Sequence, residues 1–293
     1  MPAVRKAVIP AAGLGTRVLP ATKVVPKEML PIVDTPAIEY AVEECAAAGI
    51  DDVLIVTGRG KRAIEDHFDR APELEAELEA RGKAAELDAV RRSADLCRVH
   101  TVRQLAPLGL GHAVAIARHH VGDEPFCVLL PDEVMVGVDP LLALMAAHEA
   151  TGTSVIGLAA VPRDEISGYG AAAVEPTEHS DVLRVTALVE KPPADEAPSN
   201  LSVAGRYLFT PDVFDALDRI TPGHGGELQL TDALVLLAEG TGLHATVIRG
   251  GRFDTGNKLD YLKANVELAL LRPDLAPAFG PWLAEIVRRD DLR

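Results

Sequence analysis

The chain offers no disulfide framework and no zinc ribbon. Its three cysteines, Cys45, Cys97 and Cys127, are odd in number and none stands in a C-x-x-C pair. Reduced, mostly buried thiols are expected. A basic surplus is missing too: the formal net charge is −15, which argues against nucleic acid as a partner because phosphate-backbone binding needs a broad basic face. No apolar stretch is long enough to span a bilayer, and no basic segment followed by an apolar one opens the chain. The expectation is a soluble cytoplasmic protein with no membrane partner. Several catalytic and phosphate signatures are absent as well. There is no G-x-S-x-G elbow and no G-x-x-x-x-G-K-[ST] loop, and the third glycine of a dinucleotide fingerprint is replaced by Val18. No internal repeat is apparent.

What is present is a phosphate-binding composition near the start. Val4 to Ile9 reads as a buried strand, and the run AAGLGTRVLPATKVVPKEMLP, Ala11 to Pro31, follows it directly. Gly13 and Gly15 permit close backbone approach and positive φ, so that main-chain N–H groups can point at an anion. Thr16 is placed to cap a following helix, whose positive end would face the same point. Arg17 supplies a planar fork, and Lys23 and Lys27 supply mobile point charges. In so acidic a chain, such a cluster of cations calls for a local anion. A strand followed by G-x-G is also common as a plain turn; the cations weigh against that reading.

With 48% hydrophobic and 25% charged residues, the chain can bury a large core as one domain, 1–293. Strand patterns at Val4 to Ile9, Val53 to Thr57, Val99 to Arg103 and Phe126 to Leu130 alternate with helical ones at Pro36 to Ala48 and Gly111 to His120. This predicts an α/β fold with a Rossmann-like, mostly parallel central sheet flanked by helices. Longer strand candidates, Ser154 to Ala160, Val182 to Val189 and Leu201 to Phe209, predict a mixed extension of that sheet in the second half. The approximate subregions are 1–135, 136–258 and a C-terminal helical segment, 259–293, that closes over the core or builds a subunit contact. Pro72 to Arg92 reads as two surface helices broken at Gly82. His119 and His120 are adjacent, so on a helix they diverge by about 100° and cannot chelate one metal together.

In an open α/β sheet the ligand lies beyond the carboxyl ends of the strands, where Gly13, Gln104 and Asp132 fall. Asp132 and Asp254 are carboxylates at strand ends, suited to a hard cation, although each alone is more often a turn former. Glu133 would point to the opposite face of an extended segment and is not counted as a ligand. Gln104 carries both donors and acceptors and can match the O4 and N3–H edge of uracil or thymine. Lys191 sits on a stiff exit from a strand, followed by two prolines.

The pattern GxGTRxLPxTKxxPKEMLP over Gly13 to Pro31 resembles the signature of the sugar-nucleotide pyrophosphorylases, the nucleotide-diphospho-sugar transferase type of fold. The resemblance continues in order through GLGHAV (Gly109 to Val114), LLPDE (Leu129 to Glu133), SGYGAA (Ser167 to Ala172), VEKP (Val189 to Pro192), APSNLSVAGRY (Ala197 to Tyr207), GELQLTDA (Gly226 to Ala233) and FDTGNKLDY (Phe253 to Tyr261). It implies nucleotidyl transfer, with the motifs leaning toward the group that joins UTP and glucose 1-phosphate into UDP-glucose and pyrophosphate. It also implies Mg²⁺ held by Asp132 and Asp254, and catalytic roles for Arg17, Lys27 and Lys191. Ala11, Ala12, Gly13, Gly15, Thr16, Glu28, Gln104 and Gly109 are expected around the nucleotide. Gly170, Glu190, Lys191 and Val203 are expected around the sugar. A homodimer or homotetramer is the implied assembly. Open alternatives are a thymidylyltransferase, an N-acetylhexosamine 1-phosphate uridylyltransferase, and a silent regulatory subunit; an NAD-dependent dehydrogenase is disfavoured by Val18 and the lysines.

Overall fold

The computed structural model describes residues 3–289. Thirteen strands are ordered along these residues: β1 (Lys6–Pro10), β2 (Pro31–Ile32), β3 (Thr35–Pro36), β4 (Asp52–Thr57), β5 (Arg98–Arg103), β6 (Phe126–Leu129), β7 (Glu133–Val136), β8 (Ser154–Ala160), β9 (Gly170–Pro176), β10 (Leu183–Glu190), β11 (Leu201–Phe209), β12 (Leu243–Val247) and β13 (Gly251–Asp254). The α-helices are α1 (Ala37–Ala47), α2 (Arg62–Phe68), α3 (Pro72–Ala80), α4 (Ala84–Asp95), α5 (Leu110–Ile116), α6 (Arg118–Val121), α7 (Pro140–Thr151), α8 (Val213–Leu217), α9 (Leu230–Glu239), α10 (Lys258–Leu271) and α11 (Ala276–Val287).

Nine strands form one sheet in the order β5-β4-β1-β6-β11-β8-β12-β10-β9. The first four are mutually parallel, and β11 enters antiparallel to both β6 and β8. The parallel half and the mixed extension match the sequence pattern. Burial explains the composition of the parallel half. Successive residues of β1 enter opposite apolar layers, Val8 on one side with Leu54 and Val128, and Ala7 and Ile9 on the other with Val53, Ile55 and Leu129. A strand covered on both faces must be apolar throughout rather than alternating. Phe126 continues the first layer by stacking on Phe214 of α8, with ring centroids 5.4 Å apart.

Some boundaries differ from the sequence reading. The expected helix over 111–120 is two pieces, α5 and α6, and the pair in 72–92 does part at Gly82, which takes φ +67°. Asp254 does stand at a strand end, but outside the nine-stranded sheet. It ends a strand of its own, β13, which pairs only with β7 as a separate antiparallel ribbon. That ribbon positions the site.

Candidate active site

The loop after β1 does not open a helix in the manner expected of Thr16. Residues Thr16–Val18 form a single 3₁₀ turn, and the capping position is Gly15, in the left-handed region at φ +67°, with no side-chain cap. The physical reason is local: Gly15 alone can take that conformation cheaply, and a Cβ there would lie 3.2 Å from Cβ of Lys27 and 3.3 Å from Cβ of Thr22. Thr22 Oγ1 donates to the Gly15 carbonyl at 2.7 Å, closing the loop on itself. Ala11 N–H is tied to the Val56 carbonyl at 2.8 Å, which leaves Ala12, Gly13 and Thr16 along the rim; Gly13 and Thr16 are exposed.

Arg17 and Lys27 turn toward the two motif aspartates. Arg17 Nη1 donates to Asp254 Oδ2 at 2.9 Å, and its Nη2 lies 3.7 Å from Asp132 Oδ2. Lys27 Nζ donates to the same Asp132 oxygen. Burial disfavours the charge on both Lys27 and Asp132, yet their mutual attraction wins: Lys27 holds its proton more tightly than a free lysine, and Asp132 is held below the usual carboxylate range. The two aspartates meet because Asp132 immediately precedes β7 while Asp254 ends β13, with Glu133 and Asp254 in register. Thr255 locks this junction, its N–H and Oγ1 both donating to the Asp132 carbonyl, at 2.7 and 2.9 Å. Gly256 N–H donates to Asp254 Oδ1 at 2.9 Å.

Gly256 is the floor on which these charges converge. A Cβ there would sit 2.5 Å from Arg17 Nη2, 2.9 Å from Asp254 Oδ1 and 3.0 Å from Asp132 Oδ2. Two carboxylate oxygens beside one backbone position that tolerates no side chain suit a hard divalent cation. Glu133 is not part of this pair: Arg252 grips its carboxylate from both sides, as alternation along an extended segment predicts.

Behind the loop, Glu28 is fully buried and pairs with Lys61 Nζ at 2.6 Å, while its Oε1 is buried with no hydrogen-bond partner among the described residues. Burial pushes Glu28 up and Lys61 down, each toward its neutral form. Glu28 therefore buttresses the loop from inside. Lys61 carries no motif, and only its place across from Glu28 reveals it.

Gln104 follows β5 and is buried. Its amide nitrogen donates to the Gly109 carbonyl at 3.1 Å and lies 2.9 Å from His112 Nδ1. Both amide protons are thus spent on the protein, and the amide oxygen is the group left to face a ligand. Gly109 takes φ +99°, and a Cβ on it would lie 2.6 Å from the Leu228 carbonyl oxygen, so the turn requires glycine twice over.

The expected sugar residues also assemble. Around Gly170, a Cβ would meet Glu190 Oε2 at 3.3 Å, Thr231 Oγ1 at 3.5 Å and Val203 Cγ2 at 3.5 Å. Thr231 donates to Glu190 Oε2 at 2.5 Å, a pairing of two motif residues, GELQLTDA with VEKP, in which no role was expected of Thr231. Lys191 is exposed, with Nζ 3.5 Å from Glu190 Oε1, and stands apart from the Arg17–Lys27–aspartate cluster in its ion pairs. Its backbone is in the left-handed region at φ +45°, costly for a residue with a Cβ, and its N–H is held by the Tyr169 carbonyl at 3.1 Å. Strain of this kind concentrates where a side chain has to be aimed.

Residues 6–270 match the family model described as nucleotidyl transferase. The chain is 49% identical over 288 residues to the UTP–glucose-1-phosphate uridylyltransferase YngB of Bacillus subtilis, covering 98% of this chain and 97% of that one. Among solved structures, it is similar to a UTP-bound UGPase from Acinetobacter baumannii, with a TM-score of 0.89 and 40% identity over 97% of this chain and 99% of the other. A UDP-glucose pyrophosphorylase complexed with UDP-glucose is similar at a TM-score of 0.83 and 38% identity, over 92% and 100% of the two chains.

Proposed function

The chain belongs to the nucleotidyl transferase family, and from that premise we propose that it makes UDP-glucose and pyrophosphate from UTP and α-D-glucose 1-phosphate. The observation that carries the reading is the convergence of Arg17, Asp132 and Asp254 on Gly256, with Lys27 donating to Asp132, together with the sugar-type cluster of Gly170, Glu190, Val203 and Thr231. Relatives with these names support the substrate pair.

A phosphate oxygen of glucose 1-phosphate attacks the α-phosphorus of UTP, the bond to the β-phosphate breaks, and pyrophosphate leaves with the electron pair. Since a phosphate monoester's second pKa is about 6, the nucleophile is already ionised near neutral pH and no general base is needed. Charge repulsion is the obstacle, so catalysis consists of positioning and cationic stabilisation. Arg17 is assigned to the departing β,γ-phosphates and Lys27 to the α-phosphate, with the backbone of Gly13 to Thr16 cradling the chain of phosphates and that of Ala11, Ala12 and Gly13 lining the nucleoside slot. Asp132 and Asp254 would hold Mg²⁺, since they bring two carboxylates together where Arg17 and Lys27 now balance their charge, and the ion would supply charge neutralisation at the phosphates. Gln104 reads uracil through its free amide oxygen, which accepts from N3–H, and Gly109 holds that glutamine in place. Glu190 accepts from sugar hydroxyls and Lys191 meets the sugar phosphate.

The nucleotide half, 1–135, and the sugar half, 136–258, act as one domain joined through the continuous sheet, where β6 pairs with β11. A homodimer or homotetramer is proposed through α10 and α11, which leave Leu262, Leu271 and Trp282 more than half exposed. Free Cys45, Cys97 and Cys127 suit a reducing compartment, and the cytoplasm is the proposed location.

The test is pyrophosphate release across UTP and dTTP, each offered with glucose 1-phosphate or N-acetylglucosamine 1-phosphate, with and without Mg²⁺. Turnover requiring UTP, glucose 1-phosphate and Mg²⁺ together is expected. Preference for dTTP or for the N-acetylated sugar overturns the assignment, and no turnover with any pair favours a regulatory subunit.

A further inference from the structure

At the other end of the sheet, near the amino ends of its parallel strands, three side chains from three elements meet. Asp52 opens β4, His100 lies within β5, and His120 lies in α6. Asp52 Oδ1 is 2.8 Å from His120 Nε2 and 3.7 Å from His100 Nε2, and one ligand-type atom from each residue lies within 4.8 Å of the others. We propose that Asp52, His100 and His120 form a binding site for a divalent transition metal of the zinc type, separate from the catalytic crevice.

The distances carry the argument. Two ligands bound at about 2.0–2.1 Å to a tetrahedral ion lie roughly 3.3 Å apart. The observed 2.8 and 3.7 Å bracket that separation, so small side-chain rotations suffice to seat an ion. The two imidazoles are tilted at 56° with centroids 5.0 Å apart, so both Nε2 atoms aim at one carboxylate oxygen rather than stacking face to face. His119, the neighbour of His120, plays no part; the partner of His120 comes from an adjacent strand instead.

The backbone behind these ligands is already fixed. Leu54 and His100 are in parallel register, which sets His100 two residues along the same face from Asp52. Lys6 Nζ donates to the carbonyls of His120 and Val121, at 3.3 and 3.0 Å, and pins the end of α6. The nearby cations have other anions: Lys6 pairs with Glu124, while Arg5 and Arg98 pair with Asp51. Asp52 is left with the two imidazoles. Imidazole nitrogen excludes Mg²⁺ and Ca²⁺ as preferred occupants and selects zinc, nickel or copper. One Asp and two His ligands leave the remaining positions to water. A bound ion would clamp edge strand β5 to β4 and α6.

The test is equilibrium dialysis of the full-length protein against ZnCl₂ in Mg²⁺-free buffer, together with the thermal midpoint with and without zinc. His100→Ala, Asp52→Asn and His120→Ala are each expected to remove one zinc equivalent, or weaken it more than about tenfold, and to abolish the zinc-induced rise in midpoint. His119→Ala is expected to retain both. His100 is half exposed, so its variant stays folded and remains decisive even where another variant does not. Zinc stoichiometry unchanged in His100→Ala, or no saturable binding by the wild type at micromolar zinc, overturns the site.

Discussion

Arg206, 1% exposed, lies against Glu44 with Nη2 2.8 Å from Oε2, and its remaining donors hold both ends of the turn that presents Asp132. Nη1 donates to the Leu130 carbonyl at 3.1 Å and Nη2 to the Glu133 carbonyl at 2.7 Å. Removing the guanidinium leaves the largely buried Glu44 carboxylate without its cation and takes a donor from each of the two carbonyls. Arg206→Met should therefore cost about 3–5 kcal/mol in urea unfolding, the range for breaking one side of a buried pair. A double variant that also replaces Glu44 by Leu should recover part of that loss. If Arg206→Met unfolds at the wild-type midpoint, the pair does not hold the turn.

Gly256→Ala separates catalysis from folding. The new Cβ meets the far end of Arg17, which can move, but also Asp254 Oδ1 and Asp132 Oδ2 at 2.9 and 3.0 Å, which the β7–β13 ribbon holds. Turnover should fall by about 10²-fold or more, comparable to losing one preorganised electrostatic group, with the thermal midpoint little changed. Arg17→Ala should produce a loss of similar size. Wild-type kcat in either folded variant would move the phosphate site elsewhere.

The reach of sequence reading divides along a physical line. The Gly13 to Lys27 loop was legible because its glycines and cations lie close together in the chain, and the parallel strands were legible because double-sided burial leaves unbroken apolar runs. Pairings across distant segments were not. Lys61, Thr231 and Arg206 are ordinary residue types whose importance arises only when the fold brings them to Glu28, Glu190 and Glu44. Thr16 failed as a cap for a local reason: the chain used the left-handed freedom of Gly15 one position earlier.

His112 should matter for base choice. By accepting at Nδ1 it commits the Gln104 amide nitrogen, leaving the oxygen to accept from a pyrimidine N3–H. Cytosine has an acceptor at N3, so CTP is rejected by two facing lone pairs. His112→Ala removes one of the two acceptors that orient the amide, the Gly109 carbonyl being the other, and the ratio of kcat/KM for UTP over CTP should fall by about tenfold, the worth of one neutral hydrogen bond of about 1.4 kcal/mol. An unchanged ratio would remove the orienting role.

At the sugar pocket, Gly170→Ala sets a methyl group 3.3 Å from Glu190 Oε2, tight enough that this carboxylate must give by a few tenths of an ångström. The expected effect is a higher KM for glucose 1-phosphate with the KM for UTP unchanged, because the crowded carboxylate lies on the sugar side. Thr231→Val, which deletes the donor to Glu190, should act in the same direction. Equal increases in both KM values would show that the pocket does not divide in this way.

Acid stability can be traced to the surface helices. Glu75, in the first turn of α3, accepts from Arg70 Nε at 2.7 Å and from Arg91 Nε of α4 at 2.9 Å, and Ala71 N–H donates to it at 3.2 Å. These hydrogen bonds, that of Arg70 first, hold its carboxyl at about 2, against an ordinary value of 4.5. A pKa lowered by folding means that the unfolded chain takes up the proton first. The contribution is therefore complete above pH 4.5 and is lost as pH falls toward 2. Glu75→Gln removes the charge that both arginines grip, so it should be less stable than wild type at pH 7. The gap between the two urea midpoints should then narrow as pH falls through that window. A gap independent of pH would mean that the carboxylate charge does not tie α3 to α4, and that the shape of the side chain alone does so.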